Sequence, residues 1–317
     1  MRMILVTGGA GFIGSALAEK LIQDPENYVV IVDNLATGSL NKLPAAPNTN
    51  WRFIKCDIND FRDISSVTQS FRFDYVFHYA AVVGVKRTQE NPVKVLQDIH
   101  GIENILNLSK NTGVKRVFFS SSSEVYGEPV DLPQNEETTP LNSRVPYAVV
   151  KNLGEAFLRS YKKEFNLDFT IFRFFNTYGP KQSKDFVMSK FIALALKHQD
   201  IRIFGDGMQT RTFCYIEDHI EATYNNFMQA VRSGNGANEV INIGNDKEIT
   251  ILELARTIIA LTGSNSRIVH VPPLPEGDMH RRLPDITKML KLLNRQPVSL
   301  EEGISRILKD PYFIRNK

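Results

Sequence analysis

The sequence predicts an α/β protein: a doubly wound parallel sheet with a smaller mixed α/β lobe toward the carboxyl end. In the first half of the chain, short apolar runs alternate with amphipathic stretches, which is typical of parallel strands joined by crossover helices. Beyond residue 176 the segments become shorter and mixed in type. We therefore expect one domain over residues 1–176 and a lobe over residues 177–317, between which chain segments can cross.

The strands predicted in the first domain are apolar runs that end at polar or turn-forming residues. They are Met3–Val6, Val29–Val32, Arg52–Ile54, Tyr75–His78, Val117–Ser120 and Phe169–Phe174. The helical stretches predicted between them are Gly14–Gln23, Phe61–Ser70, Pro92–Thr112 and Val149–Phe165. This order of elements predicts a sheet with helices on both faces.

Weaker patterns predict the second lobe. Extended segments are expected at Ile201–Phe204, Arg211–Tyr215 and Val240–Asn242. Helices are expected at Phe186–Lys197, Glu217–Val231, Ile251–Leu261 and Leu300–Leu308.

Composition argues against several classes of protein. The 317 residues include 38 basic and 35 acidic side chains, for a formal net charge of +3, which does not favour nucleic-acid binding. Cys56 and Cys214 are far apart, so we expect neither a disulfide framework nor a metal site. No apolar run reaches the ~18 residues of a membrane span, and the N-terminus does not resemble a secretion signal. We therefore expect a cytoplasmic protein.

A glycine-rich turn follows the first predicted strand and opens the first predicted helix. Gly8, Gly11 and Gly14 have the spacing Gly-x-x-Gly-x-x-Gly. Glycine lets the backbone turn tightly and approach a pyrophosphate, and the first helical residues, Phe12 and Ile13, present N–H groups to phosphate oxygens. In this strand–turn–helix context the pattern predicts a Rossmann-like site for a dinucleotide.

The ends of the next strands supply further candidate cofactor contacts. Asp33, nineteen residues after Gly14, ends the second strand, and its carboxylate can accept hydrogen bonds from both adenosine ribose hydroxyls. Because that carboxylate would repel a 2′-phosphate, the sequence favours NAD over NADP. The remaining candidates at these strand ends are Asn34, Asp57, Ile58, Ala80 and Ala81.

A second group of residues predicts proton chemistry. Tyr147 and Lys151 are four residues apart, so a helix places them on one face. A lysine ammonium beside a phenol favours the phenolate, and a tyrosine of lowered pKa can act as a general base. The run Ser120–Glu124 ends the fifth predicted strand, at the edge of the sheet where ligands bind. A hydroxyl there can hold the substrate hydroxyl that the tyrosine deprotonates.

These motifs, in this order along the chain, resemble the extended short-chain dehydrogenases/reductases that act on nucleotide sugars, the epimerase/dehydratase family. The segments that carry the resemblance are Thr7–Gly14, His78–Ala81, Ser121–Gly127, Tyr147–Lys151 and Arg173–Pro180. The resemblance covers nearly the whole chain. It implies NAD as the cofactor and a nucleotide sugar, by preference a UDP-sugar, as the substrate.

The resemblance also implies roles for individual residues. Tyr147 would remove the proton of the sugar 4-hydroxyl, Lys151 would hold the nicotinamide ribose and tune the tyrosine, and Ser122 would take the place of the family's catalytic threonine or serine. Glu124 would handle a proton at C5 or order a water molecule. The first product would be a 4-keto sugar, to which the stored hydride is later returned. The residues implied for substrate binding are Asn176, Arg211, Arg281 and Arg282.

The carboxyl-terminal half is most similar to the UDP-glucuronate decarboxylases, through Gly205–Tyr215, Asn242–Asn245 and Arg281–Lys288. In such an enzyme the C4 ketone makes the C6 carboxylate part of a β-keto acid, which loses carbon dioxide readily. The segment Tyr147–Asn152 reads Tyr-Ala-Val-Val-Lys-Asn where that family has Tyr-Asp-Glu-x-Lys-Arg, whereas Arg144 matches it.

Other activities stay open. A 4,6-dehydratase is the second candidate, because Ser123-Glu124 and the segment Pro133–Pro140 are similar to GDP-mannose dehydratases, although that group generally prefers NADP. A 4-epimerase is the third, since it leaves Glu124 without a role. A regulatory protein that binds a dinucleotide without turnover is the non-enzymatic alternative, and the intact Ser122, Tyr147 and Lys151 weigh against it.

The resemblance further implies a homodimer. In this superfamily, the helices equivalent to Val93–Thr112 and Val149–Phe165 pair with those of a partner subunit. The apolar residues expected at that interface are Ile102, Ile105, Leu106, Leu153 and Phe157.

Overall fold

Runs of apolar residues that are buried on both faces form the centre of a seven-stranded sheet in the computed structural model. Ile4–Val6 of the first strand and Val29–Val32 of the second are fully buried. Burial on both faces is what a parallel sheet with helices on either side requires. The structure describes residues 1–45, 49–273 and 281–316, except the side chains of residues 85, 86 and 316.

The described chain alternates strands and helices along its first half, as predicted. The strands are β1 (Arg2–Thr7), β2 (Asn27–Asp33), β3 (Trp51–Lys55), β4 (Tyr75–His78), β5 (Arg116–Ser122), β6 (Asp168–Phe174), β7 (Thr177–Tyr178), β8 (Ile201–Phe204), β9 (Thr210–Thr212), β10 (Cys214–Tyr215), β11 (Glu239–Ile243), β12 (Glu248–Thr250) and β13 (Ile268–Val271). The helices are α1 (Phe12–Leu21), α2 (Phe61–Ser70), α3 (Val85–Glu90), α4 (Pro92–Leu96), α5 (Asp98–Thr112), α6 (Pro146–Phe165), α7 (Val187–Ala195), α8 (Ile216–Ser233), α9 (Ile251–Thr262), α10 (Thr287–Leu293), α11 (Leu300–Lys309) and α12 (Pro311–Asn316).

The order of strands in the large sheet is β11-β6-β5-β4-β1-β2-β3. β1 pairs in parallel with both β2 and β4, so the chain moves outward from β1 in one direction and then resumes on its other side. The carboxyl ends of β1 and β4 flank the point where the order reverses, and ligands of such sheets bind there. The predicted fold, a Rossmann-like doubly wound parallel sheet, is confirmed.

Helix α5 packs against both α2 and α6, and the three helices share a hydrophobic core with the sheet. Ile102, Ile105 and Leu106 of α5 are at most 3% exposed and belong to this core. The prediction that these three side chains lie at a subunit interface is therefore wrong. The periodicity identified an apolar face correctly, but the face covers the chain's own sheet.

Three predicted elements differ from the observed ones by more than two residues at one end or by division into two elements. The helix predicted over Pro92–Thr112 is two helices, α4 and α5, because the N–H of His100 bonds to the carbonyl of Gln97, an i→i−3 bond that interrupts the α-helical ladder. The strand predicted over Arg211–Tyr215 is divided between β9, which pairs with β12, and β10, which pairs with β7. Helix α6 begins three residues earlier than predicted, at Pro146, a favoured residue for the first helical turn.

Contacts divide the chain into two compact units that interleave in sequence. Unit 1 comprises Met1–Val125, Ser143–Arg173 and Ile220–Ile241, and unit 2 comprises Tyr126–Asn142, Phe174–His219 and Asn242–Lys317. Unit 1 contains nearly all of the large sheet, whereas unit 2 contains three small two-stranded sheets. The division of ligand-binding roles between residues 1–176 and 177–317 stays a prediction. Among the described residues, the helices are all too short or too polar to cross a membrane.

Candidate active site

The glycine-rich turn brings β1, α1 and the loop after β4 into close contact. Gly8 has a backbone φ of +67°, and a Cβ atom there would lie 2.7 Å from the backbone nitrogen of Ala80. A Cβ atom on Gly14 would lie 2.4 Å from the carbonyl oxygen of Gly8. Side chains do not tolerate approaches this short, so these two positions require glycine. The result is a tight turn packed against the loop after β4, a conformation typical of a turn that binds a pyrophosphate.

Helix α1 begins directly after this turn. Its N-cap residue, Gly11, has extended backbone and no side chain with which to cap the helix. The first N–H groups of a helix need acceptors from outside it and carry the positive end of the helix dipole. Phe12 and Ile13, which are half-buried, and the buried Gly14 form this first turn. The turn and the helix end together fit the pyrophosphate of a dinucleotide.

Asp33 lies at the end of β2 and is 8% exposed. Its Oδ2 atom accepts a hydrogen bond from the N–H of Ala10 at 3.0 Å, and its Oδ1 atom accepts one from the N–H of Leu35 at 2.8 Å. Each carboxylate oxygen has a further lone pair, so the group can also accept bonds from a ribose. The structure thus holds Asp33 beside the glycine-rich turn, a position that fits the role predicted for it. A Cβ atom on Gly38 would lie 2.7 Å from Oδ1 of Asp33, a constraint that the sequence did not reveal.

The ends of β2 and β3 are linked by side chains that were predicted to contact the cofactor. Nδ2 of Asn34 donates to Oδ2 of Asp57 at 3.1 Å, and Oδ1 of Asp57 accepts from the N–H of Asn59 at 3.0 Å. Ile58 differs from its neighbours, because its side chain is 7% exposed and packs in the hydrophobic core. Asn34 and Asp57 therefore keep polar atoms at this edge, while Ile58 contributes mainly packing.

A buried network connects the ends of β1 and β4. Oγ1 of Thr7 accepts hydrogen bonds from the N–H groups of Tyr79 and Ala80, at 3.1 Å each, so its own proton is donated to Nδ1 of His78 at 2.9 Å. His78 therefore carries its proton on Nε2. Burial, with a smaller effect from the charge of Lys151, lowers the pKa of His78 to about 3, so the ring is neutral at physiological pH. The network holds the loop that contacts Gly8.

The same loop is held from α5 by a carboxylate. Ala80 and Ala81, two predicted cofactor contacts, are half-buried, and the next residue, Val82, donates its N–H to Oδ2 of Asp98 at 2.6 Å. Burial raises the pKa of Asp98, although its hydrogen bond from Val82 and the charge of Lys151 oppose the shift. Asp98 thus adds a half-buried carboxylate to the candidate site that sequence reasoning missed.

Lys151 lies on α6 with 4% of its surface exposed. Its Nζ atom donates to Oγ of Ser120 at 3.4 Å and lies 5.0 Å from the ring centroid of Phe119. Burial lowers the pKa of Lys151 to about 8, while the charge of Asp98 acts in the opposite direction. The ammonium form therefore still predominates at neutral pH, which is the form that favours a neighbouring phenolate.

The structure brings the other predicted catalytic residues to the same edge of unit 1. Tyr147 is half-buried in the first turn of α6, and its ring centroid lies 5.8 Å from Nζ of Lys151. Ser122 is the last residue of β5, and its Oγ atom accepts a hydrogen bond from the N–H of Glu124 at 3.1 Å. Glu124 follows in a short 3-10 helix and is half-buried. A phenol, a hydroxyl and a carboxylate are thus present, and groups of these three types can take part in proton transfer.

One residue predicted to bind substrate lies on a small sheet of unit 2, and a second is bonded to that sheet. Arg211 is in the middle of β9 and is 9% exposed, with one guanidinium nitrogen bonded to the carbonyl of Thr210 at 2.7 Å. Thr210 also donates its hydroxyl to Glu248 of the paired strand β12. The Glu248 carboxylate in turn forms a bidentate ion pair with Arg281, at 3.1 and 2.5 Å. Arg281 is therefore held against this sheet by a carboxylate.

The remaining substrate candidates, Arg282 and Asn176, also lie in unit 2. Arg282 is 7% exposed, which is unusual for a guanidinium and indicates that other groups of the protein surround it. Nδ2 of Asn176 donates to the carbonyl of Thr212 at 3.1 Å, which leaves its side-chain oxygen as an acceptor. Among the described residues, no group of His, Cys, Asp and Glu side chains could hold a metal ion.

Comparison with known proteins identifies a family model and several relatives to which the chain is similar. The chain matches the model of the NAD dependent epimerase/dehydratase family over residues 4–244. A UDP-N-acetyl-alpha-D-glucosaminuronate decarboxylase of Bacillus cytotoxicus is 38% identical over 324 residues, covering 97% of each chain. A putative UDP-glucose 4-epimerase of Methanocaldococcus jannaschii is 37% identical over 312 residues, covering 96% of this chain and 97% of the other.

A solved structure agrees with the fold over the full length of both chains. The UDP-glucuronic acid 4-epimerase of Bacillus cereus, solved with UDP-glucuronic acid and NAD, superposes with a TM-score of 0.87 at 31% sequence identity and covers 100% of each chain. Relatives of similar identity thus carry the names of different reactions on UDP-sugars.

Proposed function

The chain belongs to the NAD-dependent epimerase/dehydratase family, and from this premise we propose that it decarboxylates a UDP-linked hexuronate. It is an enzyme with NAD as its cofactor. UDP-glucuronate is the first candidate substrate, and UDP-N-acetylglucosaminuronate is the second. The similar proteins of Bacillus cytotoxicus and Bacillus cereus are both named for UDP-linked hexuronates, the first as a decarboxylase and the second as a 4-epimerase.

The observation that carries the choice of reaction is the carboxylate of Glu124 beside Ser122. The backbone N–H of Glu124 donates a hydrogen bond to the Ser122 hydroxyl. This bond fixes the positions of the two residues relative to each other at the end of β5. Decarboxylation needs a group that manages a proton at C5 after carbon dioxide leaves, and a half-buried carboxylate suits that task. A 4-epimerase has no such requirement.

The proposed first step uses Tyr147 as the general base. Tyr147 takes the proton from the sugar 4-hydroxyl, which the Ser122 hydroxyl holds, and the Lys151 ammonium stabilises the phenolate. The glycine-rich turn and Asp33 would hold NAD, which when bound would supply a reversible acceptor for a hydride from C4. Oxidation at C4 and loss of the proton to Tyr147 together leave a ketone on the sugar.

The C4 ketone then makes loss of the C6 carboxylate favourable. The C5–C6 bond breaks, its electron pair moves toward the C4 carbonyl as an enolate, and carbon dioxide leaves. A proton from water, directed by the Glu124 carboxylate, then adds to C5 and restores the 4-ketone. Reduction at C4, with a proton returned by Tyr147, ends the cycle with a UDP-pentose and no net use of the cofactor.

The arginines of unit 2 are proposed to bind the anionic parts of the substrate. Arg211 and Arg282 are buried guanidinium groups, and a guanidinium matches phosphate or carboxylate oxygens through two parallel bonds. Asn176 offers a side-chain oxygen to a sugar or base donor. Arg281 is the weakest candidate of the four, because its guanidinium already forms an ion pair with Glu248.

A 4-epimerase is the second candidate, and it rests on the relatives named for that reaction. It would use the same Tyr147, Lys151 and Ser122 but would return the hydride to the opposite face of C4. A 4,6-dehydratase is the third, with Glu124 removing the C5 proton. All three reactions share the first oxidation, so the products must separate them.

We expect incubation with UDP-glucuronate or UDP-N-acetylglucosaminuronate to give a product lighter by carbon dioxide, measured by mass spectrometry. UDP-glucose and GDP-mannose are run in parallel. Loss of water from a hexose would favour the dehydratase, and an unchanged mass with a new chromatographic peak would favour the epimerase. Tyr147→Phe is the matched control, since it removes the base alone; it should bind NAD normally and give no product.

A further inference from the structure

A buried ion pair lies behind the candidate catalytic residues in unit 1. Nε of Arg173, on β6, donates to Oε1 of Glu155, on α6, at 2.9 Å, and an outer guanidinium nitrogen donates to Oε2 at 2.8 Å. Both side chains are 2% exposed. The hydroxyl of Ser121, at the end of β5, also donates to Oε1 of Glu155 at 2.6 Å. One carboxylate thus joins α6 to two strands of the sheet.

The positions of these residues link the ion pair to the candidate chemistry. Glu155 lies four residues after Lys151 and eight after Tyr147, so all three occupy one stripe of α6. Ser121 lies between Ser120, which accepts the hydrogen bond of Lys151, and Ser122. The link from Glu155 to β5 is therefore one helical turn from the site at which Lys151 meets the same strand.

We propose that Glu155 and Arg173 are positioning residues, which set the direction of Tyr147 and Lys151 toward the end of β5 without touching the substrate. The proposal rests on the proposed function, because it assigns a purpose to the pair only if Tyr147 is the base. The ion pair fixes the rotation of α6 about its own axis, and with it the direction of Tyr147 and Lys151. The hydrogen bond from Ser121 to Glu155 sets that rotation relative to β5.

The chemistry of the pair suits orientation more than stability. A bidentate guanidinium–carboxylate contact has two parallel bonds and therefore fixes an angle as well as a distance. A pair of apolar side chains of similar volume can fill the same space with little loss of stability, but it has no preferred direction. The buried charges are thus needed where a small rotation of the helix matters to the reaction.

The decisive variant replaces both charges together, as Glu155→Leu with Arg173→Met, so that neither charge remains buried without its partner. We expect the double variant to fold and to bind NAD with a dissociation constant within about threefold of the wild type. The rate of the first oxidation, measured in a single turnover at about 340 nm with a UDP-sugar, should fall about 100-fold with little change in KM.

A second readout does not depend on substrate. The titration midpoint of Tyr147 is measured as the tyrosinate absorbance difference between each protein and its Tyr147→Phe counterpart. We expect the midpoint to rise by about one pH unit in the double variant, because the ammonium is no longer held beside the phenol. The matched control is Glu302→Leu with Arg306→Met, the same two changes at an exposed ion pair, which should leave both readouts unchanged.

The outcomes separate the two proposals. A folded double variant with the wild-type rate and the wild-type Tyr147 midpoint would overturn the positioning role. If the double variant does not fold, Ser121→Ala decides, because it removes one bond to Glu155 and keeps the ion pair; we expect a rate about tenfold lower and a raised midpoint, and an unchanged protein would overturn the role. If the wild type oxidises none of the sugars, the proposed function has failed, and the Tyr147 midpoint alone decides the positioning role.

Discussion

At the scale of a single residue, the buried ammonium of Lys151 in the candidate site destabilises the folded protein. Its ammonium lies 4% exposed between Ser120 and the ring of Phe119, and the burial lowers its pKa from 10.5 to about 8. The folded protein therefore binds fewer protons at this residue than the unfolded chain does between pH 8 and pH 10.5. The contribution of Lys151 to the free energy of unfolding therefore rises with pH across that window. Below pH 8 the buried ammonium destabilises the folded state by its full amount.

We expect Lys151→Met to stabilise the protein without NAD at pH 7. The substitution replaces a buried charge by an apolar side chain of similar length. The pKa shift of Lys151 corresponds to as much as about 3 kcal/mol of unfolding free energy, which is the largest gain expected. The melting temperature of the variant should exceed that of the wild type by several degrees at pH 7, and the difference should shrink between pH 8 and pH 10. Calorimetry or circular dichroism at a series of pH values measures it.

The control for this prediction is Lys163→Met, the same change at an exposed position of the same helix. It should alter the melting temperature little, and equally at every pH. A stability difference for Lys151→Met that does not vary between pH 7 and pH 10 would contradict the origin assigned to it.

The other residues of the candidate site divide by how far apart their partners are in sequence. Asp33 and Tyr147 were predicted from local context, and the structure places each beside the expected motif. His78 and Asp98 were not assigned roles, because their partners, Thr7 and Val82, are distant and no pattern joins them. For His78, a polar residue at the end of an apolar strand was the available signal, whereas Asp98 at the start of α5 gave none.

At the scale of elements, the glycine-rich turn and the loop after β4 behave as one structure. Gly8 touches the backbone of Ala80, and Thr7 bonds to the N–H groups of that same loop. A change on one side must therefore move the other side, and with it the edge where the cofactor is expected to lie.

We expect Gly8→Ala to reduce NAD affinity at least about 100-fold, because the new Cβ atom would displace the loop as well as strain a backbone of positive φ. Isothermal calorimetry measures the affinity, and a melting curve shows whether the protein still folds. Gly113→Ala is the matched control: its φ is +79°, but a Cβ atom there would meet nothing within 4 Å. It should cost about 1 kcal/mol of stability from strain alone and leave NAD affinity unchanged. Equal effects of the two changes on NAD affinity would refute the steric role of Gly8.

Helix α6 presents two faces with different tasks. Tyr147, Lys151 and Glu155 form the stripe toward the sheet, whereas Val149 and Leu153 lie on the opposite side, 41% and 39% exposed. The exposed side borders a shallow groove of ≈ 390 Å³ lined by Leu153, Ala156, Phe157, Ser160, Tyr161, Glu164 and Phe165. An apolar groove on an otherwise polar helix face is typical of an interface.

At the scale of the whole molecule, we propose that this exposed face of α6 forms the interface of a homodimer. Leu153 and Phe157 remain from the residues first expected there, and the α5 residues do not, since they are buried in the chain's own core. Two copies of α6 that pack through this face would also support the helix that carries Tyr147 and Lys151.

We expect the wild type to sediment as a dimer at micromolar concentration and Leu153→Asp to sediment as a monomer. A charge at the centre of an apolar interface should weaken association at least about 100-fold. Leu261→Asp is the matched control, because Leu261 is similarly exposed at 37% but lies on α9 of unit 2. A monomeric wild type, or a dimer that survives Leu153→Asp, would remove this face from the assembly.

The sequence by itself determined the properties that depend on neighbours along the chain. Strand, glycine-rich turn and helix follow one another within Arg2–Leu21, so the dinucleotide site could be predicted from spacing and from the conformations that glycine allows. The pairing of Tyr147 with Lys151 follows from helical periodicity, and the alternation of apolar runs with amphipathic stretches predicted the sheet.

Only the tertiary structure decided what each apolar or polar face touches. Periodicity showed that α5 has an apolar face but not that the sheet covers it, and Arg211–Tyr215 divided between two partner strands that local propensity could not identify. The contacts of Glu155 with Ser121 and Arg173 join residues 34 and 18 positions apart. Burial and long-range hydrogen bonds depend on which segments meet in space, and a linear pattern does not contain that information.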